Sequence, residues 1–357
     1  MNITSFRQTI LPARVTFGSG TLAALPEEAA LLGIRRALIV CTAPQRDLAG
    51  RAAELLAGRA AAIYANAAMH TPEHVTQDAM AGVLNGHIDG IVAVGGGSAI
   101  GLSKAIALRT DLPQIVVPTT YAGSEATPII GETKDGGKTT QRSMKVLPET
   151  ILYDVDLTLT LPVSASMTSG LNAMAHAAEA LYATQGSPLI SQIAEEALAA
   201  MIDALPRIRL NADDRQGRSN ALYAAWLCGT CLGSVGMALH HKICHTLGGT
   251  FDLPHAELHA IMLPHVLAYN LPAAQDARQR FVRLLGSEDP AIALEKFARG
   301  LEIPRALRDI GMPQDGIDHA AGLAVATPYP NPRPIERAAI RAMLARAWAG
   351  EFPAAAV

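Results

Sequence analysis

The chain has 357 residues, half of them hydrophobic, and a formal charge of −3 from 29 Lys and Arg against 32 Asp and Glu. That length exceeds the usual single domain and predicts two packed units with a large core. Basic residues scattered without a stripe exclude a nucleic-acid footprint and a face for anionic membranes, so any anionic ligand has to be met locally.

The N-terminal MNITSFRQTILPARV has no basic segment followed by an apolar core. It does not read as a signal peptide, and a cytoplasmic protein is expected. From 37 to 155, short β-rich runs alternate with helical stretches: ALIVC at 37–41, GIVAV at 90–94, QIVVP at 114–118 and TILYD at 150–154. This rhythm predicts βαβ units around a parallel sheet. IVAVGGGSAIGLSKAIAL at 91–108 reads as a buried strand, a turn of Gly95, Gly96, Gly97 and Ser98, and a helix. Glycines let backbone approach a ligand and helix-start amides attract anions, so a phosphate site is expected. The pattern is neither GxGxxG nor a Walker loop, and a plain tight turn competes with the phosphate reading. At the next strand end, VVPTTYAGSEATP at 116–128 offers the hydroxyls of Thr119, Thr120 and Ser124, where open sheets bind ligands. Two such loops favour a nucleotide.

After Leu161–Pro162 the sequence becomes Ala- and Leu-rich at helical spacing with no convincing strand. A boundary near 160 is expected, with an α/β dinucleotide-binding domain at 1–160 and an all-α catalytic domain at 161–357. SGLNAMAHAAEA at 169–180 puts Asn172 and His176 on one helical face, about 6 Å apart at Cβ. That is the geometry of a two-point metal clamp, except that asparagine offers a neutral carbonyl where divalent cations favour a charged oxygen. ALYAAWLCGTCLGSVGMAL at 221–239 is 19 residues without a charge, which reaches the length of a membrane span. Its glycines, Tyr223, Thr230 and Ser234 favour the centre of an α domain instead. Cys228-Gly-Thr-Cys231 lies inside that run and, with Cys41 and Cys244, suits buried packing in a reduced compartment. HHKICHTLGGTFDLPHAELHAIMLPH at 240–265 holds six of the eleven histidines. His241 and His245 share a helical face, and His255 follows a Gly-Gly turn that lets it fold back toward them. Neutral imidazoles serve as metal ligands or proton donors. Singly, each is more commonly a packed or exposed histidine.

The residues carry a resemblance. GGGS at 95–98, PTT at 118–120, GSE at 123–125, the SGLNAMAHAAEA helix, and CHTLGG followed by LPHAELHAIMLPH appear in the order of the iron-containing alcohol dehydrogenase family. PTTYAGSEATPIIGETKDGGKTT, VLPETILYDVDLTLTLP and NPRPIERAAIRAMLARAW resemble its maleylacetate reductase branch more particularly. Nearly the whole chain is covered. The resemblance implies the dehydroquinate synthase-like architecture, a homodimer, and a family metal held between positions 172, 176, 241 and 255 as an aspartate and three histidines. Here position 172 is asparagine, and Gly101 stands where the family commonly has the aspartate of GGGSxxD. Both departures are similar to the branch that works without metal, so none is expected.

The resemblance also implies an activity: reduction of the double bond of maleylacetate to 3-oxoadipate, a step in aromatic compound degradation. Hydride added β to the ketone gives an enolate, which donors in a dry pocket stabilise in the manner of an oxyanion hole. His241 and His255 are the first candidates, with His176 or His245 completing the set and one imidazole or a relayed water supplying the proton. The substrate is a dianion, so Lys242, Arg142, Arg333 and the neutral Tyr121 are candidate partners, with Asn172 facing it. The resemblance and the two loops together imply a nicotinamide dinucleotide over Gly95–Ser98, near Thr119 and Thr120. Thr42-Ala43-Pro44 after ALIVC supplies no acid against a 2′-phosphate, so NADH and NADPH are both expected. A small dicarboxylate is the only partner expected, with no nucleic acid and no membrane. The alternatives are a metal-dependent alcohol or polyol dehydrogenase of the same family and a non-catalytic nucleotide-binding protein.

Overall fold

A computed structural model describes residues 6, 8–134 and 137–354. They form two compact units, one of Ile10–Leu161 and one of Met1–Thr9 with Pro162–Val357.

In the first unit, strands β1 (Arg14–Gly18), β2 (Ala37–Val40), β3 (Ala60–Tyr64), β4 (Gly90–Gly95), β5 (Gln114–Pro118) and β8 (Thr150–Asp154) make a parallel sheet in the order β1-β8-β5-β4-β2-β3. The central strands β2, β4, β5 and β8 are buried throughout, as parallel strands covered on both faces must be. Alternate residues feed two cores. Ile39, Val92, Val94, Ile115, Val117 and Leu152 pack against α1 (Leu25–Leu31) and α2 (Arg46–Leu56). Leu38, Val40, Ile91, Ala93 and Val116 pack against α3 (Glu73–Asn85) and α4 (Gly97–Thr110). A separate antiparallel hairpin, β6 (Ile129–Lys134) with β7 (Gly137–Arg142), precedes β8.

In the second unit the described residues from Pro162 on form helices and turns without a strand. α5 (Val163–Ala180) is buried almost entirely from Ser166 onward. It packs on α6 (Pro188–Leu210) and α7 (Arg215–Ser234), both started by side-chain caps: Ser187 Oγ accepts from the Ile190 amide, and Asp214 accepts from the Gln216 and Gly217 amides. The uncharged run at 221–239 is broken, because α7 ends at Ser234 and α8 (Leu239–Phe251) starts afresh. Among the described residues no single helix is long and apolar enough to cross a membrane; the α7–α8 pair, bent by 96°, passes only by length and composition. Pro254 then starts α9 (His255–Asn270), where a missing amide at a helix start costs nothing. α10 (Gln275–Leu285), α11 (Pro290–Gly300), α12 (Gly316–Val325) and α13 (Arg337–Ala349) complete the unit. Residues of α8, α9, α12 and α13 share one core around Leu247, Leu258, Met262, Ala321 and Leu344.

Gly170 sets how closely α5 meets α6. A Cβ there would lie 2.7 Å from Leu205 Cδ2 and 3.0 Å from Met201 Sδ. Gly170→Ala gains about 1 kcal/mol of helix propensity but overpacks a closed core at about 1–3 kcal/mol. The second effect is larger, so the variant is expected to melt a few degrees below the parent by calorimetry. A rise in Tm would show that the crossing is slack.

Candidate active site

The α/β unit brings three sequence-predicted loops to the carboxyl ends of adjacent strands. Thr42 follows β2, Gly95 to Ser98 follow β4, and Thr119 and Thr120 follow β5. Gln45 joins two of them: its Nε2 donates to Thr119 Oγ1 at 2.8 Å, and the Thr119 amide donates to Gly95 O at 3.2 Å. The glycines are required by shape. Gly95 has φ 145°, and a Cβ there would meet Gln45 Oε1 at 2.6 Å; at Gly96 it would meet Thr120 Cγ2 at 2.8 Å. Gly97, the first residue of α4, has nothing within 4 Å of the Cβ position, and no side chain caps the helix. Uncapped amides beside open space, under a 14-residue helix, fit the phosphates of a dinucleotide.

Lys104 on α4 holds the loop carrying Ser124. Its Nζ donates to Ser124 O at 2.6 Å, Thr127 O at 2.8 Å, Thr127 Oγ1 at 3.0 Å and Ile129 O at 2.9 Å. Burial pulls the lysine down to about 7 and pushes the Glu125 carboxyl up to about 7, each opposed by the charge of the other. Glu125 Oε1 accepts from Tyr153 Oη at 2.9 Å. Tyr121 is fully buried in this unit, and Arg142 is exposed on β7.

The helical unit gathers the histidines. α5 supplies Asn172 and His176 one turn apart, and Glu179 at the next step along the same face. His241 Nδ1 lies 2.7 Å from Glu179 Oε2, and His241 Nε2 lies 2.9 Å from His176 Nδ1. Facing a carboxylate fixes the proton on His241 Nδ1; in the neutral ring Nε2 then accepts from His176 Nδ1–H. Glu179 also accepts from the amides of Ala238 at 3.0 Å and His240 at 2.7 Å, which fixes the start of α8. Beside this run lies a second pair, His240 Nε2 to His259 Nδ1 at 3.0 Å, with Cys244 Sγ 3.7 Å from the same His240 nitrogen. His255, half-buried at the start of α9, has its ring centre 4.3 Å from that of His259, and the His245 ring is 6.0 Å from His241.

The structure thus brings His176, His241, His245, His255 and Asn172 into one unit. Lys242 is half-buried beside them on α8 with Nζ 6.0 Å from the Tyr329 ring centre, and Arg333 stacks on Tyr269 at 4.5 Å. Tyr121, Arg142 and the cofactor candidates belong to the other unit. Three participants escaped the sequence reading: Glu179, His240 and His259. The spacing H-x-x-E at 176–179 was a legible signal for the first. Cys228 and Cys231 are buried within α7, and burial drives both thiols up, Cys231 to about 12, which leaves them inert.

Fold and donor sets together define a nucleotide-dependent oxidoreductase architecture, and the comparisons agree. Iron-containing alcohol dehydrogenase matches residues 12–155, and the Fe-containing alcohol dehydrogenase family C-terminal region matches 166–348. The chain belongs to the iron-containing alcohol dehydrogenase family. Within it, the maleylacetate reductase of Rhizobium sp. strain MTP-10005 is 51% identical over 348 residues, covering 98% of this chain and 99% of the relative. That of Pseudomonas knackmussii is 48% identical over 342 residues, covering 96% and 97%. The crystal structure of maleylacetate reductase from Agrobacterium tumefaciens superposes with a TM-score of 0.95 at 51% identity, over 98% of this chain and 100% of that one.

The family's name implies a metal, and the donors at 172, 176 and 241 do not fit one as they stand. His176 Nδ1 and His241 Nε2, at 2.9 Å, share a proton, whereas two nitrogens about 2.0–2.1 Å from a tetrahedral ion sit roughly 3.3 Å apart with no proton between. Asn172 Oδ1 is buried without a hydrogen-bond partner among the described residues and carries no charge to offset a dication.

Burial makes the site acid-sensitive. Burial, with the charges of Arg346 and Arg299, pulls His265 from 6.5 down to about 4, and burial holds His240 and His259 well below the usual range. A depressed histidine is neutral in the fold while the unfolded chain takes up a proton below 6.5. Stability is therefore lost as pH falls from 6.5 toward 4, by about 3 kcal/mol for His265 alone. Urea unfolding at pH 7 and pH 5 is expected to show this fall, and His265→Leu to reduce it by about 2 kcal/mol. An identical pH dependence in the variant would contradict the assignment.

Proposed function

We propose that the chain reduces the carbon–carbon double bond of maleylacetate to 3-oxoadipate with NADH or NADPH, and that it does so without a metal. The observation that carries this reading is the proton-sharing run Glu179–His241–His176 beside an uncharged Asn172. An isolated carbonyl becomes an alkoxide only with strong polarisation, which in metal-dependent enzymes a Lewis acid supplies. A double bond conjugated to a ketone gives an enolate, whose charge hydrogen-bond donors in a low-dielectric site can stabilise. Full-length similarity to maleylacetate reductases supports the choice of substrate.

When bound, a reduced nicotinamide supplies the hydride. Gly95, Gly96, Gly97 and Ser98 hold the pyrophosphate at the start of α4, with Thr119, Thr120 and Ser124 on the neighbouring loop and Thr42 at the ribose end. Arg46 opens α2 close to Thr42 and supplies a cation for a 2′-phosphate, which supports use of both cofactors. Both ring nitrogens of His241 are engaged, so it acts by orienting His176. A proton added at the far end of the run, on His176 Nε2, has the Glu179 carboxylate as its counter-charge; from that atom it passes to the carbon next to the ketone. His255 donates to the enolate oxygen and His245 supports His241. Lys242 and Arg333 are assigned to the substrate carboxylates, and Tyr121 and Arg142 remain further candidates for that role. The homodimer rests on the family resemblance.

Loss of NADH absorbance with freshly generated maleylacetate, one cofactor oxidised per 3-oxoadipate formed, tests the reaction; turnover of alcohols or diols in its place would overturn it. Asn172→Asp tests the placement. A carboxylate about 4 Å from a substrate carboxylate repels it by roughly 4 kcal/mol at an effective dielectric of 20. In chelator, kcat/KM on maleylacetate is expected to fall at least about tenfold, equivalent to about 1.4 kcal/mol, while zinc binds more tightly. Parental activity in the variant would show that Asn172 does not face the substrate's charge.

A further inference from the structure

We propose that His259 is a further catalytic residue, whose Nε2–H donates a hydrogen bond to the substrate oxygen that becomes the enolate. The inference rests on the reduction proposed above. His259 is fully buried on α9, one turn after His255. Its ring centre lies 4.3 Å from that of His255, 4.9 Å from His240, 5.2 Å from His241 and 6.5 Å from His176, so it touches or neighbours each of these imidazoles.

The hydrogen-bond inventory points outward from this ring. Two neutral imidazoles carry two N–H groups, and the His240–His259 contact at 3.0 Å uses one. Cys244 Sγ is 3.7 Å from His240 Nε2. With the proton on His240 Nε2, His259 Nδ1 accepts and the second proton sits on His259 Nε2; with the proton on His259 Nδ1 it sits on His240 Nδ1, likewise buried without a partner among the described residues, and the proposed role requires the first arrangement. His259 Nε2 is buried and has no partner among the described residues. An unmatched buried N–H costs about 1–3 kcal/mol, so in native proteins such a group has a reason to remain. A bound oxygen supplies one.

Steady-state kinetics of His259→Leu and His259→Gln with maleylacetate and NADH test the proposal, alongside NADH affinity by fluorescence. Removing one donor of this kind costs about 10²-fold, so the leucine variant is expected to lose that much in kcat with KM and NADH affinity within about twofold of the parent. Glutamine, which restores an N–H donor, is expected to recover about tenfold of the loss. A leucine variant as fast as the parent, or equal losses in leucine and glutamine variants of parental NADH affinity, would overturn it. If the leucine variant fails to fold, His259→Phe, which keeps a ring without a donor, is compared with glutamine on the same terms. A parent chain that does not oxidise NADH with maleylacetate defeats the proposed reaction itself, before any variant is compared.

Discussion

The helical unit depends on one carboxylate. Glu179 is fully buried, and its two oxygens take up the amides of Ala238 and His240 and the Nδ1–H of His241. Three donors justify a charge in a place that would otherwise exclude it. Their positions do two things at once: they join α5 to the start of α8, and they fix the tautomer of His241, which in turn decides which nitrogen of His176 carries its proton. A single misplacement here alters the geometry of the fold and the direction of the proton run together.

The second constraint is charge balance. With its imidazoles neutral, the set around the carboxamide of Asn172 carries no charge of its own; Glu179 behind it supplies a carboxylate, enough to accompany one imidazolium. A dication in the same place would want an anionic ligand in the first position, and Asn172 gives none. For the phosphates of a dinucleotide the α/β unit offers the opposite: uncapped helix amides, hydroxyls and open space at Gly97 instead of countercharges. A scattered net charge of −3 is consistent with both.

Much of this was legible in the sequence where period and composition coincide. GIVAV, QIVVP and TILYD announced central parallel strands because strands covered on both faces must be apolar at every position. The edge strands β1 and β3 were not legible: RVTFG and AAAIY are short and partly exposed, and alanine has little strand preference. Nor was the β6–β7 hairpin, whose residues are largely polar and whose pairing is local. At the site, glycine, asparagine and histidine identities stood out from spacing, whereas His240 and His259 did not, and Glu179 gave only its H-x-x-E spacing from His176. A buried carboxylate on an Ala-rich helix looks like a surface residue until its partners, about 60 positions away, fold onto it. The tautomer logic belongs to the three-dimensional arrangement alone.

In the proposed reaction, proton-sharing imidazoles stand where a metal would otherwise act. The most direct measurement is the rate of NADH oxidation with maleylacetate by protein dialysed exhaustively against chelator, with zinc and iron quantified in the same sample. Undiminished turnover at far less than one metal per chain, with no gain on adding zinc or iron, is expected. Activity lost with the metal and restored stoichiometrically by either ion would contradict it.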